Sequence, residues 1–322
     1  MKKTTKWLLG LLAVVVVVSL AYLPSLQAEA PTKIVVDDEG AKRDDARFEE
    51  WNQRLEEMRY VIEKEGHEFT VGHTSATKYP IEQLCTLNPE LAGEDDYMHE
   101  YGEFIDVDRE IDYTMALPTY YIGYYTSIKN QGSCGSCWAF AIVGVLEGRV
   151  KQTGGGTQNY SEEYLLDCNH YGYSCNGGYF TAHNDHKSPY GARSESCYPY
   201  RGSKGTCYSS SCSYVKRITS WYYVSGSSSI PSTSSIKNAI YNKGSVAAAV
   251  YADYYFQAYS GGTFTRNRSG SVNHAILLVG WDDSRGAWRL KNSWGTGWGE
   301  NGFMWIEYDC SNVGYASTYV EY

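Results

Sequence analysis

The chain has 322 residues and a net charge of −9 at neutral pH, so it is long enough for more than one domain and a sizeable core. The charge is uneven, because residues 31–112 hold 9 Lys and Arg against 23 Asp and Glu, whereas residues 113–322 hold 16 against 13. Neither part has the clustered Lys and Arg of a nucleic-acid-binding surface, so nucleic acid is excluded as an expected partner.

The first 30 residues predict a secretory signal peptide. Lys2, Lys3 and Lys6 precede an apolar run at residues 7–23, and residues 28–30 form a small-x-small cleavage pattern. The alternative is a membrane anchor, since about 17 apolar residues is the short limit for spanning a bilayer. We expect cleavage, and therefore a secreted protein in an extracellular, periplasmic or lysosome-like compartment, with no membrane attachment afterwards.

Residues 44–65 predict an amphipathic helix, because apolar side chains recur every three or four positions. The members of this stripe are Phe48, Trp51, Leu55, Met58 and Ile62. Residues 66–112 are polar, acidic and interrupted by glycine and proline, so we expect loop or extended structure there without an independent core.

Composition changes near residue 113, where tyrosine, serine, glycine and cysteine become more frequent. The apolar run 137–150 predicts a helix, and Ser161 followed by two glutamates predicts the start of another. The Ser/Gly stretch Ser225–Ser235 predicts a loop. Short apolar runs predict strands at 246–252, 274–281, 287–294 and 303–308. Helices therefore precede strands, which indicates an α+β protein with two segregated subdomains.

The stretch NQGSCGSCWAF contains Cys134 and Cys137 in a C-x-x-C pattern with three interpretations. A redox pair should open a helix after a strand in a βαβ unit, which the flanking sequence does not resemble. A zinc site needs about four ligands, and no second C-x-x-C is present. In the third interpretation Cys137 is a nucleophile at a helix N-terminus, where its pKa falls, and Cys134 is in a disulfide.

A thiol nucleophile needs a histidine base and a third group that orients the imidazole. Three of the seven histidines lie in polar, loop-like surroundings that predict solvent exposure: His170, His183 and His186. His274 starts an apolar strand and, taken alone, would be interpreted as a core histidine. Asn292 follows in KNSWGTGWGENG, and a neutral amide there can orient an imidazole without discharging a thiolate–imidazolium pair.

The motifs QGSCGSCWAF, NHAILLVGW and KNSWGTGWGENG together resemble the papain family of cysteine peptidases. His274 and Asn292 follow Cys137 by 137 and 155 residues, near the ~130–150 spacing of that family. The resemblance covers residues 113–322 and implies a papain-like two-subdomain fold, with a helical left subdomain carrying the Cys helix and a β-barrel-like right subdomain. It is identified as a secreted, bacterial-type member.

The resemblance also implies a role for each site residue. Cys137 would be the nucleophile, His274 its general base and then the acid for the leaving amine, and Asn292 the group that orients His274. Gln131 would donate its amide to the oxyanion, although a surface loop glutamine is the alternative. Trp294 would also cover the Asn–His contact. The implied substrate-binding residues are Gly177, Gly178, Tyr179, Ala249, Ala275, Trp294 and Thr318.

None of these pocket residues is charged and several are small, which predicts a large apolar side chain two residues before the scissile bond. The chain lacks the histidine-bearing insertion of exopeptidase relatives, so endopeptidase activity on proteins or peptides is expected. No metal or cofactor is implied, and a monomer is expected. The alternative is a non-catalytic papain-fold binding protein, but such a protein would lose its nucleophile or histidine.

The resemblance implies disulfides Cys134–Cys175 and Cys168–Cys207, and Cys197–Cys212 is an additional possible pair. It leaves Cys310 and Cys85 without an assigned partner. Asn273 stands where many relatives have aspartate, which predicts a modest effect on the pH profile.

Residues 31–112 resemble an inhibitory propeptide, the alternative being a disordered acidic spacer. The opposite charges of the two parts predict docking at neutral pH and loosening in acid or in salt.

Overall fold

The structure, a computed structural model, describes residues 38–92 and 116–322, with side chains from residue 45 onward. The expected signal peptide lies outside the described residues, and so do residues 31–37 and 93–112 of the acidic segment. The chain divides into two compact units, Met1–Lys42 and Arg43–Tyr322, and the second contains everything discussed below. Within the described ranges, no helix combines the length and apolar character needed to cross a membrane.

The helices and strands occur in the order that the sequence predicts, helical elements before most of the sheet. The helices are α1 (Asp38–Glu65), α2 (Ile81–Leu84), α3 (Cys137–Gln152), α4 (Glu162–Cys168), α5 (Thr233–Lys243) and α6 (Tyr254–Ala258). The strands are β1 (Phe69–Val71), β2 (Tyr120–Ile122), β3 (Ser220–Tyr223), β4 (Val246–Val250), β5 (Tyr259–Phe264), β6 (His274–Asp282), β7 (Ala287–Lys291), β8 (Phe303–Glu307) and β9 (Tyr315–Glu321).

The strands form one sheet in the order β1-β5-β8-β7-β6-β4-β9-β3, with β2 paired to β6. The order is open at both ends, so the sheet is not a closed barrel. Strand β6 lies between β4 and β7 in antiparallel pairings, which places its first residue, His274, opposite Val250. The start of β6 and the end of β7 therefore lie next to each other at one end of the sheet. The site described below is found there.

Two hydrophobic cores give the fold its two subdomains. One contains α3 and α4 with the 3₁₀ segment Phe180–His186, and the other is built mainly from the sheet and α5. Helix α3 is apolar around almost its whole circumference, as expected for a helix buried on all sides. Helix α4 begins as predicted, because Ser161 Oγ accepts a hydrogen bond from the Tyr164 backbone N–H at 2.9 Å.

Helix α1 adds its apolar stripe to the sheet core. Trp51, Leu55, Met58 and Ile62 are buried there, whereas Phe48, predicted to belong to the stripe, is 53% exposed and stacks on His73. Strand β1 then pairs antiparallel with β5 at the sheet edge. Residues 45–92 thus pack on the rest of the second unit and have no core of their own.

Two local predictions were wrong. The predicted loop Ser225–Ser235 ends early, because Ser232 Oγ accepts from the Ser235 N–H and starts α5. His183 and His186 are completely buried instead of exposed, since the 3₁₀ segment that carries them lies inside the helical core. Burial lowers the pKa of His183 well below its usual value and that of His186 to about 3.

Candidate active site

The two cysteines of the C-x-x-C pattern have different fates. Cys134 is joined to Cys175 in a disulfide, whereas Cys137 is a free, fully buried thiol at the first residue of α3. Two further disulfides join Cys168 to Cys207 and Cys197 to Cys212. Because Cys134 is oxidised, the pair cannot act as a dithiol or as two zinc thiolates in this state.

His274 is oriented by Asn292 across neighbouring strands. The imidazole Nε2 donates to Asn292 Oδ1 at 2.8 Å, and Asn292 directly follows β7, which pairs with the histidine's own strand β6. The Trp294 ring lies 4.6 Å from the imidazole and is buried over it. The other ring nitrogen, Nδ1, is buried and has no hydrogen-bond partner among the described residues. One nitrogen is thus fixed and the other is available.

The Cys137 thiol lies beside the start of β6. Backbone groups of Ala275, Thr86 and Trp138 and the Thr86 hydroxyl hydrogen-bond the thiol. Burial nevertheless raises the thiol pKa, and burial lowers the pKa of His274 to about 4 although the Asn292 hydrogen bond acts in the opposite direction. Both shifts favour the uncharged forms of the pair while the site is covered.

Gln131 is buried and points into the site, which excludes the surface loop alternative. Its Oε1 accepts from Ser293 Oγ at 2.7 Å, and its Nε2 donates to the carbonyls of Cys134 and Leu84 at 2.9 and 3.0 Å. The preceding Lys129 anchors this segment. Its Nζ bonds Glu147 and Glu162 at 2.9 and 2.6 Å, and these carboxylates raise its pKa against the effect of burial.

After α2 ends at Leu84, residues 85–88 lie across the site as a non-helical segment. The Leu87 N–H donates to Asn273 O at 2.9 Å, the Asn88 N–H donates to Gly178 O at 3.2 Å, and Leu87 pairs with Gly178 in a parallel bridge. The approach is close enough to require glycine. A Cβ on Gly177 would lie 2.8 Å from Thr86 O, and one on Gly178 would lie 2.5 Å from the Trp138 ring.

Leu87 lies beside residues that the sequence predicts for the pocket, since its backbone pairs with Gly178. Its buried side chain belongs to the same apolar cluster as Tyr179, Ala249 and Ala275. Thr318, also predicted for the pocket, is fully buried, and its hydroxyl is 3.2 Å from His183 Nε2. The sequence analysis missed His183 at this position, and the polar residues around it gave no signal of burial.

Trp294 and Asn273 lie on either side of His274 in the structure. Trp294 is 1% exposed and its ring lies against the imidazole, which is the covering position that the resemblance implies. Asn273 uses both side-chain groups on the Ala252 backbone, accepting from its N–H at 2.8 Å and donating to its carbonyl at 3.0 Å. Asn273 therefore fixes the backbone at Ala252, just after the end of β4 and beside the predicted pocket.

A family model described as papain family cysteine protease matches residues 119–321. The chain belongs to this family. Ananain from Ananas comosus is 38% identical over 194 residues, which is 59% of this chain and 54% of ananain. The chain thus spans about half the length of such relatives. The reported relatives come from plants and animals, so the bacterial-type expectation finds no support among them.

Two solved structures extend the likeness. Procathepsin L2 from Tenebrio molitor larval midgut is 25% identical with a TM-score of 0.77, over 89% of this chain and 95% of that one. Bromelain from Ananas comosus, solved with the E64 inhibitor, is 33% identical with a TM-score of 0.59, over 64% of this chain and 99% of that one. The match to a proform covers the segment before residue 93 as well. These comparisons confirm the papain-like α+β fold.

Proposed function

We propose that this chain is the zymogen of a secreted cysteine endopeptidase that hydrolyses peptide bonds through Cys137, His274 and Asn292. The observation that carries the proposal is the Leu84 carbonyl, which accepts from Gln131 Nε2 at 3.0 Å and lies beside His274. A peptide carbonyl of the chain itself thus occupies the position that a substrate carbonyl would need for attack.

Each residue has one task in the proposed reaction. Cys137 Sγ attacks the carbonyl carbon, His274 Nδ1 takes the thiol proton and later returns it to the leaving amine, and Asn292 holds the ring in position. Gln131 Nε2 and a backbone N–H at the start of α3 stabilise the oxyanion, aided by the helix dipole. Removing the covering segment readmits water, which favours the charged thiolate–imidazolium form over the neutral pair.

The covering segment is proposed to inhibit because it runs in the wrong direction. In a substrate, the residue that fills the pocket precedes the residue whose carbonyl is attacked. Here Leu87 fills the predicted pocket but follows Leu84, whose carbonyl lies at Gln131. The chain is therefore reversed relative to a substrate, and residues 31–112 act as the inhibitory propeptide of a peptidase domain at 113–322. Residues 1–30 act as its signal peptide.

The occupied pocket supports the predicted specificity. Leu87 is an apolar side chain of substantial size, and Tyr179, Ala249 and Ala275 offer it no charged group. A large apolar residue two positions before the scissile bond is therefore the proposed preference.

The proposal is tested by covalent labelling. Because bromelain is solved with E64, an epoxysuccinyl inhibitor of that type should form a single adduct on Cys137 of the processed enzyme, and little adduct on the zymogen. Peptide mass mapping locates the adduct, and cleavage of peptide libraries measures the proposed preference. An adduct on Cys310 or Cys85 instead, or hydrolysis that survives stoichiometric labelling, would contradict the proposal.

Acid should weaken the binding of the propeptide, although few charged groups contribute to that binding. Between residues that the structure describes, one ion pair links the two parts, Glu65 to Arg266 at 2.8 Å. The pKa of Glu65 is lowered by its hydrogen bond to His67 and by Arg266. A lowered docked pKa means that this contribution is present above the free value of about 4.3 and is lost as pH falls below it.

We therefore expect the rate of self-processing of the full chain to rise in acid and, more weakly, with salt. Glu65→Gln should raise the rate at neutral pH and flatten both dependences, whereas Trp51→Ala should raise it at every pH because apolar burial is independent of charge. Glu57→Gln on the exposed face of the same helix is the control. If Glu65→Gln and Glu57→Gln process alike, the ion pair does not hold the propeptide.

A further inference from the structure

Three of the chain's nine cysteines are free thiols, and one of them belongs to the propeptide. The three disulfides leave Cys85, Cys137 and Cys310. Cys310 is buried in the sheet core, and its thiol contacts Ser311 Oγ at 3.7 Å. Cys85 is only partly buried and follows α2 in the segment that crosses the active site. A propeptide thiol therefore lies in the cleft of an enzyme whose nucleophile is also a thiol.

The residues on both sides of Cys85 are anchored at the nucleophile. The preceding carbonyl, of Leu84, accepts from Gln131 Nε2 at 3.0 Å. The following residue, Thr86, hydrogen-bonds the Cys137 thiol and donates from its hydroxyl to Gly135 O at 2.5 Å. One peptide bond separates Cys85 from each anchor, so Cys85 is held in the part of the segment that passes Cys137. A disulfide between them requires Cα atoms about 4.4–6.8 Å apart, and the cross-linking experiment below tests whether the two residues reach that separation.

The local electrostatics are consistent with that proximity. Burial raises the pKa of the Cys85 thiol, and Cys137 comes first among the neighbouring groups that raise it further, ahead of Glu82 and Asp253. The groups that act on the Cys310 thiol are Ser311, Glu307 and Asp253. Of the two other free thiols, Cys137 is therefore the one that acts on Cys85.

We propose that Cys85 and Cys137 form a disulfide that locks the propeptide covalently across the active site. The oxidant is a low-molecular-weight disulfide, RSSR. The partly exposed Cys85 thiolate attacks one sulfur of RSSR, forming a mixed disulfide and releasing RS⁻, which takes up a proton. The buried Cys137 thiolate then attacks the Cys85 sulfur and expels the second RS⁻, which also takes up a proton. The balance is two protein thiols and RSSR giving one protein disulfide and two RSH.

This cross-link would make activation depend on redox state as well as on proteolysis. Cutting the chain after residue 92 would leave the inhibitory piece attached to the nucleophile until a thiol reduced the bond. Oxidation of the unlocked enzyme would otherwise modify Cys137 irreversibly, whereas a disulfide is reversible. The inference rests on the proposed role of Cys137, and the cross-link itself can be detected without any activity.

The test uses the full chain incubated with oxidised glutathione at about pH 8, where more of a thiol with raised pKa is ionised. Mass mapping without reductant should find a peptide in which Cys85 is joined to Cys137, in wild type and in the matched control Cys310→Ser. Labelling of Cys137 by an epoxysuccinyl inhibitor after acid processing should be lost and then recovered with dithiothreitol. In Cys85→Ser, no cross-link should form and Cys137 should remain a free thiol.

A wild-type chain in which Cys137 carries glutathione and Cys85 stays free would overturn the proposal, even if Cys85→Ser failed to fold. A cross-link to Cys310 would overturn it as well. If the Cys85–Cys137 peptide is found but the reduced, processed enzyme hydrolyses nothing, the cross-link stands and the proposed peptidase function fails. The two proposals are therefore separable in one experiment.

Discussion

Cys137→Ala should abolish peptide hydrolysis and leave a folded, unprocessed zymogen. Only Cys137 combines a free thiol, the first position of α3 and contact with the residue after His274. Alanine keeps the helix and the buried volume nearly intact, so the fold should persist, but no other described group can attack a carbonyl at Gln131. The measurement is peptide hydrolysis after acid treatment, with unfolding followed by circular dichroism.

Cys134→Ala is the matched control, because it removes the other thiol of the same C-x-x-C pattern. It should lower the free energy of unfolding by about 2–5 kcal/mol through loss of the disulfide to Cys175. Residual activity should survive at temperatures where this variant remains folded. Hydrolysis by purified Cys137→Ala, or complete inactivity of folded Cys134→Ala, would reverse the two roles.

Short-range patterns predicted the elements that carry the site. The apolar run after Cys137 predicted α3, the Ser161 cap predicted α4, and four apolar runs predicted β4, β6, β7 and β8 within a few residues. In each case the deciding interactions lie within one helix or strand. The likeness to a known family supplied what spacing alone could not, namely the prediction that Cys137, His274 and Asn292 act together. In the structure His274 is hydrogen-bonded to Asn292, and Cys137 lies beside Ala275.

Long-range packing explains what the sequence did not reveal. The burial of His183 and His186 depends on elements far along the chain, such as Trp221, whose ring lies 5.3 Å from His183. A serine-rich stretch predicts a loop and a helix cap equally well, so the start of α5 after Ser232 was missed. The chain direction of residues 84–88 across the site could not be predicted either. That direction depends on the pairing with Gly178, which is distant in sequence, and not on the segment's own residues.

Substitution of Gln131 should have the second large effect. Its side-chain hydrogen bonds should matter for the reaction and not for the stability of the fold. Its Oε1 accepts from Ser293 Oγ, and its Nε2 donates to the Leu84 carbonyl. The hydrogen bond to Leu84 O in the zymogen and the proposed bond to the oxyanion in catalysis use the same donor. A change at Gln131 should therefore alter both turnover and inhibition.

Gln131→Ala should lower kcat by about 10²–10³-fold, the usual loss for one oxyanion donor, with little change in KM. Gln131→Glu should lose as much, because a carboxylate keeps the shape but cannot donate, and the exposed-site control Gln158→Ala should match wild type. Each Gln131 substitution should also weaken propeptide binding, because the hydrogen bond to Leu84 O is lost. This effect is measured in double variants that also carry Cys137→Ala, as a higher proteolytic sensitivity of residues 38–92 than in Cys137→Ala alone.

Normal kcat in Gln131→Ala would remove this residue from the oxyanion site. A low kcat with unchanged propeptide release would instead mean that the contacts of Leu87 hold the covering segment in place. The hydrogen bond from Gln131 to Leu84 O would then contribute nothing measurable to propeptide binding.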